Sequence, residues 1–367
     1  MKPGAHGKGF PVMLLTEDEL LRLDAQDDAR REGRLSATKG PAWRTRKLSD
    51  VKPGPVKWIV YGPDGEGFLP AGLSIFVGDG GIGKSTLVRE ICASITTGAG
   101  AFQCDQGQVI WTAWEDDEAS IFLPHILACK GDPAMITLVD GEVDANGNPI
   151  PWSPSRLELA RKELANYPDL RLMVVDCLAS SMGDLDSNDS KSVRPFLTPL
   201  NKLGQELGIA ILVLHHPNKR MEGGPKARVA GSNQIMNTAR HSYFVAEDPD
   251  DKSVRHVSLL KTNLNGYTQG FCFRDAPVGV NEMKAWATTK GISFPDDMPL
   301  DCYRRIQVLD DKPPLPVAEL ATASRGSSET RINLAKEMGA WIKEQLKEGN
   351  PILAKELKDR AKKAHPE

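Results

Sequence analysis

The chain has 367 residues, with 46 Lys and Arg against 49 Asp and Glu, a formal charge of -3 at pH 7 and 40% hydrophobic residues. That length accommodates one large α/β domain with small appendages, and the near balance of charge excludes binding to nucleic acid through overall charge, so any basic surface is local. The cysteines Cys92, Cys104, Cys129, Cys177, Cys272 and Cys302 are scattered with no CxxC pair, which argues against a disulfide framework or a cysteine metal cluster and fits a reducing compartment. No apolar run approaches a membrane span, and Met1–Lys8 has no apolar signal core. A cytoplasmic protein without a membrane partner is therefore expected.

Residues 1–47 read as an N-terminal helical arm and linker. Thr16-Glu-Asp-Glu19 is a capping box, a polar helix is predicted from there to about Arg34, and Lys39 to Lys47 is basic linker. A subunit-docking arm and a solvated helix are both open readings, the second the commoner. From Leu48 a larger region begins. Val56–Tyr61 is β-rich, and its Trp58 and Tyr61 either stack on a nucleobase or, as most such aromatics do, pack. Pro70-Ala-Gly72 is a turn, and Leu73–Val77 is a short apolar run that predicts a buried strand.

Directly after it stands Gly78-Asp-Gly-Gly-Ile-Gly83-Lys84-Ser85-Thr86, the G-x-x-x-x-G-K-S pattern. Ser85–Thr97 is apolar-periodic and predicts a helix. Strand, loop and helix in that order are the context in which Gly78, Gly80, Gly81 and Gly83 let backbone N–H groups nest around phosphate oxygens. The helix N-terminus adds its positive end at the same place. Lys84 then reaches the β- and γ-phosphates of ATP, Thr86 lies at the helix start, and the Ser85 hydroxyl serves Mg²⁺.

Further on, Gln108–Trp114 alternates into a second strand ending at Glu115-Asp-Asp117. A carboxylate at the end of a strand beside such a loop can orient an attacking water, whereas acidic residues also open helices. Both hold if Glu115 ends the strand while Asp116 and Asp117 start a helix through Cys129. Ile136–Val139 is a further strand, residues 141–154 a loop, and Pro154–Asn166 a helix. Leu170–Asp176 is an apolar run closed by aspartate, the Walker B pattern, with Asp176 as a Mg²⁺ residue. After a polar loop and a helix over Ser192–Leu207, the strand Gly208–Leu214 ends in His215-His216-Pro-Asn-Lys219. A polar group there can sense the γ-phosphate; with no second His/Cys cluster nearby, the histidine pair is not taken as a metal site.

Lys219, Arg220, Lys226 and Arg228 lie on a glycine-bearing loop placed to touch a phosphodiester backbone. A short helix over Gly231–Arg240, a strand over Ser242–Ala246 and a hairpin of Val254–Lys261 with Gly270–Arg274, turning at Asn265-Gly266, follow. Beyond about Asp275 the α/β rhythm stops. Pro295–Pro316 is Pro- and Asp-rich and reads as linker. Ser328–Lys347 and Pro351–Ala364 read as two helices of a partial winged-helix-like segment.

On these motifs the span from about Leu48 to Arg274 resembles the RecA-fold ATPases of plasmid and phage replication, the RepA-type hexameric helicase group. The resemblance rests on Gly78–Thr86, the Trp-Glu-Asp around Glu115, Val-Val-Asp176, His-His-Pro-Asn-Lys219 and Ala-Gly-Ser232 running to Ala-Arg240. It implies that Glu115 polarises the lytic water, that Asp176 serves Mg²⁺ and that His216 couples the γ-phosphate to the DNA-binding loop. It implies further that Arg240 is an arginine finger given to a neighbouring subunit, and that Lys261 is the lysine of a Lys-x-Arg pair inserted in trans. Position 263 is Asn, so the arginine of that pair is missing and weight shifts to Arg240. A helix-end arginine that only complements the dipole is the plainer alternative for Arg240.

The expected architecture is a RecA-like α/β core over residues 48–290, with a central mostly parallel sheet flanked by helices. A linker over 291–326 and a small helical segment over 327–367 follow. The expected function is a DNA-dependent ATPase, a ring-forming helicase or translocase on single-stranded DNA, with a homo-oligomer, a hexameric ring favoured, and ATP and Mg²⁺ at the site. Its rivals are a RecA-like ATPase that binds DNA without unwinding it and an NTP-driven protein switch.

Overall fold

Two mostly apolar strands, Gly72–Val77 and Ala210–His215, pair near the middle of a nine-stranded sheet and are buried along their whole length. Strands covered on both faces read as continuous apolar runs rather than alternating ones, which is how both stretches stood out in the sequence. The computed structural model describes residues 45, 47–112, 116–139, 142–143, 149–150, 157–178, 182, 190–216, 238–239 and 241–320. The chain divides into two units, Met1–Pro55 and Val56–Glu367. In the first, the described residues form one 3-10 turn, Leu48–Asp50.

In the second unit the described strands are β1 (Trp58–Tyr61), β2 (Gly67–Pro70), β3 (Gly72–Val77), β4 (Gln103–Cys104), β5 (Gln108–Thr112), β6 (Ile136–Val139) and β7 (Glu142–Val143). They continue with β8 (Pro149–Ile150), β9 (Leu170–Val175), β10 (Ala210–His215), β11 (His241–Glu247), β12 (Val254–Thr262), β13 (Gly270–Pro277) and β14 (Arg304–Leu309). The helices are α1 (Lys84–Thr97), α2 (Leu123–Ala128), α3 (Leu157–Leu164), α4 (Ser190–Leu207) and α5 (Val280–Thr289). The large sheet has the order β14-β13-β12-β11-β3-β10-β9-β5-β6. From β11 to β6 all pairings are parallel; from β11 out to β14 they are antiparallel. The fold is thus α/β, with a mostly parallel central sheet flanked by helices.

Helix α1 buries Leu87, Ile91 and Ile95, four residues apart on one face, and Val88 and Cys92 beside them. It packs against β5, β9 and β14, while α4 covers β3 and β10. Gly98 ends α1 at φ 69°, its N–H donating to the Ser94 carbonyl, a left-handed cap that favours glycine. Phe68, Phe76, Phe102, Tyr243 and Phe271 form an aromatic cluster in the core, with centroids 4.8–6.1 Å apart. Burying side chains of this size contributes about 2–3 kcal/mol each.

Several expectations change in detail. The helix expected from Asp116 to Cys129 opens as a π-helical turn, Glu118–Phe122, before α2 begins. Asp117 caps that turn by accepting from the Ser120 N–H, and Pro124 has no N–H to continue regular bonding. Trp58 follows the packing alternative. Its ring meets His241 edge-on at 5.4 Å and lies so close to Gly67 that a Cβ there would sit 2.1 Å from it.

The largest correction concerns residues 291–326, expected as linker. Residues 304–309 form β14 and pair with β13 across six residue pairs from Cys272↔Leu309 to Pro277↔Arg304. Prolines and aspartates on either side mask a strand of six residues in any composition average. Arg305 on β14 also pairs with buried Glu90 of α1 at 2.7 Å. Helix α5, likewise not foreseen, joins Leu127 and Ala128 of α2 in a small separate core through Met283 and Ala287. Trp286 Nε1 donates to the Gly131 carbonyl at 2.8 Å, and Lys290 pairs with Asp132 at 2.7 Å. The expected helices over Thr16–Arg34, Ser328–Lys347 and Pro351–Ala364, and most of that over Gly231–Arg240, lie outside the described residues.

Candidate active site

The loop between β3 and α1 is shaped by two glycines. Gly83 has φ 88° and precedes the first helical residue, a conformation that costs a residue with a Cβ about 1 kcal/mol or more. Gly78 lies against β11: a Cβ there would sit 2.5 Å from the Val245 carbonyl oxygen. Its N–H donates to the His215 carbonyl at 3.2 Å, so the end of β10 fixes where the loop departs. Gly80 and Gly81 are exposed, Gly81 at φ 75°, and Ser85 and Thr86 are half-buried in the first turn of α1.

Lys84 is 3% exposed. Its ammonium donates to the carbonyls of Gly78 at 2.8 Å and Asp79 at 2.7 Å, and lies 3.1 Å from His216 Nδ1. Three N–H donors thus meet three acceptors. Because a lysine ammonium only donates, Nδ1 of His216 accepts, and a neutral His216 carries its proton on Nε2. Burial lowers the Lys84 pKa to about 8, against the opposing pull of Asp176 and Asp79. His215 is buried one residue earlier. Burial, with the nearby His216 and Lys84, pushes it down to about 4, so it packs as a neutral strand residue.

Two adjacent strands bring acidic residues to the same end. The Ser85 hydroxyl donates to Asp176 Oδ2 at 3.0 Å, just past β9, and the Asp176 N–H donates to the Thr112 carbonyl, the last residue of β5, at 3.1 Å. A hydroxyl and a carboxylate oxygen meeting at one point are the hard oxygen donors that suit Mg²⁺. Past β5, Asp116 is ion-paired with Arg89 of α1. Arg89 is buried and its guanidinium lies 5.4 Å from the centre of the Phe122 ring. Sequence inspection passed over Arg89; the available signal was its spacing, one turn after Ser85 on the same helix face. Of the three acidic residues 115–117, Asp116 is thus engaged by Arg89 and Asp117 by its cap.

Lys261 lies elsewhere. It pairs in register with Ser242, which pairs in turn with Ile75 of β3. Its ammonium donates to the Ala239 carbonyl at 3.4 Å, ahead of the start of β11. At about 3.3 Å per residue and 4.8 Å per strand, its backbone is roughly 14 Å from the Gly78 backbone, and its side chain extends the other way. The structure therefore brings Gly78–Thr86, Asp176 and His216 together and leaves Lys261 at the opposite end of the sheet. Glu115, Lys219, Arg220, Lys226, Arg228 and Arg240 lie outside the described residues.

No described helix is long and apolar enough to cross a membrane. No curated protein matches the chain. A family profile described as an AAA domain matches residues 31–222, over half of the 367 residues and inclusive of the glycine loop, Asp176 and His216. The chain belongs to the AAA domain family and is a P-loop ATPase.

Proposed function

We propose that the protein is a DNA-dependent ATPase of the RepA-type helicase group, a ring-forming helicase or translocase that acts on single-stranded DNA in the replication of a plasmid, phage or other mobile element. The observation that carries this reading is the contact of Lys84 with His216 Nδ1 at 3.1 Å. A γ-phosphate that attracts the Lys84 ammonium competes with His216 for the same N–H. His216 directly follows β10, and only Pro217 and Asn218 separate it from the basic run beginning at Lys219. A nucleotide that draws Lys84 away from His216 thus releases a residue three positions before Lys219 in the chain.

In this reading Lys84 and the loop N–H groups bind the β- and γ-phosphates of ATP, and Ser85 and Asp176 hold Mg²⁺. When bound, the metal neutralises charge on the phosphate oxygens. Glu115 orients water for in-line attack, since its two acidic neighbours are engaged elsewhere. Lys261 faces away from its own P-loop, which supports a role, if it acts on nucleotide, at a neighbouring subunit's site. Arg240, which lies outside the described residues, is assigned as the principal trans residue because the arginine expected two positions after Lys261 is Asn263.

The test is ATP turnover with and without single-stranded DNA, paired with strand displacement on a forked duplex. Stimulation that falls steeply with salt, together with unwinding, supports the proposal. Stimulation without unwinding favours an ATPase that binds DNA for another purpose. No binding of single-stranded DNA at low salt overturns the DNA assignment in favour of a protein-directed switch. His216→Ala is expected to keep most basal turnover and lose its DNA stimulation.

A further inference from the structure

We propose that Arg255, with Asp275, binds the nucleoside end of the nucleotide and reads its adenine edge. Glu247, Arg255 and Phe273 pair directly across β11, β12 and β13, so their side chains share one face of the sheet. That face is the one the phosphate loop crosses. The loop leaves β3 with Gly78 against the Val245 carbonyl, and a Cβ on Gly83 would meet the Phe273 ring at 3.7 Å. Val245 pairs with Val257, and Arg255 lies two residues beyond it, about 7 Å further toward the loop end of the sheet. The opposite face, with His256 and Ser258, is covered by the segment after β14. There the Leu315 N–H donates to His256 Nδ1 at 3.0 Å, and the Ser258 hydroxyl donates to the Leu315 carbonyl at 2.7 Å. Lys84 and His216 meet beside β10, and Ser85 and Asp176 beside β9. A triphosphate whose terminal phosphate and metal lie at those residues has its nucleoside on the other side of the loop, over β11 to β13.

Arg255 is mostly buried yet poorly matched. Its side chain is 13% exposed. Of the N–H donors of its guanidinium, Nη1 donates to the Lys252 carbonyl at 2.7 Å. The buried Nε–H meets no acceptor among the described residues. Nη2 stands 3.7 Å from Asp275 Oδ2, beyond hydrogen-bond range. A buried cation held by a loose pair costs stability, and departures of this kind from a well-satisfied interior are characteristic of functional sites. The Asp275 carboxylate is 41% exposed, so a donor and an acceptor stand side by side at the rim of the sheet. Adenine presents the complement on one edge, the N7 acceptor beside the N6 amino donor, whereas guanine presents two acceptors there, N7 and O6. Seated between the two side chains, adenine accepts from Arg255 through N7 and donates its amino hydrogen to Asp275. The O6 of guanine would face the carboxylate, acceptor against acceptor. The pair therefore selects ATP over GTP.

The test is the affinity of the full chain for ATP, GTP and inorganic tripolyphosphate, each measured by displacement of a fluorescent ATP analogue with Mg²⁺ present. The proteins compared are the parent, Arg255→Gln, Arg255→Lys and Asp275→Asn. The parent should bind ATP about tenfold more tightly than GTP. Arg255→Gln should lose about tenfold in ATP affinity and keep its tripolyphosphate affinity within about twofold, a split that a merely structural defect would not produce. Arg255→Lys, a point charge without the planar fork, recovers part of the loss. Asp275→Asn should narrow the preference for ATP over GTP to about threefold or less, because an amide offers either a donor or an acceptor. If Arg255→Gln does not fold, Asp275→Asn decides, its carboxylate being partly exposed. Equal losses for ATP and tripolyphosphate in Arg255→Gln place the effect on the phosphates or the fold and overturn the nucleoside assignment. Unchanged ATP affinity in Arg255→Gln, or a parent that binds GTP as tightly as ATP, overturns it as well. An unchanged preference in Asp275→Asn removes Asp275 and the reading of the adenine edge.

Discussion

The two ends of the parallel sheet use polar residues in opposite ways. At the P-loop end, Lys84, Ser85, Asp176 and His216 contact one another and the loop backbone, and Gly80 and Gly81 are exposed. At the other end, His241 is fully buried among Trp58, Tyr243 and Thr262, its ring nitrogens facing the Thr262 hydroxyl at 2.9 Å and the Tyr243 hydroxyl at 3.2 Å. The Tyr243 hydroxyl in turn donates to the Thr268 carbonyl at 3.0 Å. Burial pushes His241 down to about 4 and drives the Tyr243 hydroxyl far above its ordinary range. The lesson is that a buried ionisable group does not mark a site by itself. Lys84 differs from His241 because an anion can reach the loop that holds it, and because its partners are groups that a phosphate can replace.

Substitutions at the two ends test that contrast. The largest expected effect follows Arg240→Ala, which should lower turnover by about a thousandfold with nucleotide affinity intact, the scale of a lost arginine finger. Lys261→Ala, lacking an arginine two residues on, should lower it only about tenfold. Adding an excess of Glu115→Gln subunits to Arg240→Ala should restore turnover if the two residues serve one shared site; no restoration means that Arg240 acts within its own subunit. Next comes Lys84→Ala, which removes a charged donor and should weaken binding of an ATP analogue by about 100-fold, measured by fluorescence titration.

A third prediction concerns pH. With Lys84 titrating at about 8 in the free protein, a bound triphosphate raises that pKa, and above pH 8 binding must take up a proton. Affinity should be flat from pH 7 to 8 and then fall by up to about tenfold per unit. Lys84→Ala should remove the slope. The sign for folding is opposite. The unfolded chain keeps this proton to the ordinary lysine range while the native protein releases it near 8, so this group adds stability as pH rises between those values. The smallest effect belongs to the packed end. Tyr243→Phe deletes one buried hydroxyl and should cost about 1 kcal/mol in thermal unfolding without changing nucleotide affinity. A change in affinity there would break the separation of the two ends.

Much of the site was legible because its chemistry is local. Gly78 to Thr86 is a contiguous run whose backbone does the binding, and Asp176 and His216 each directly follow an apolar strand. What stayed illegible joins residues far apart in the chain. The Ser85–Asp176 bond spans 91 positions and the Lys84–His216 contact 132. Arg89 looks like any surface arginine until Asp116 is brought beside it, and β14 disappears among prolines until β13 offers it an edge. The family match stops at residue 222, so Arg240 and Lys261 lie past the part of the chain that it covers.

From the chain alone one could derive a phosphate-binding strand, loop and helix, and an α/β alternation whose apolar runs must be central strands. These follow from short-range rules, namely which residues tolerate a tight loop and which periods bury a face. Tertiary structure decided which acidic residues are already engaged, which of the two adjacent histidines faces Lys84, and that Lys261 lies at the opposite end of the sheet from its own nucleotide loop. Those are questions of register and strand order, set by how the sheet assembles as a whole, and no window of sequence contains them.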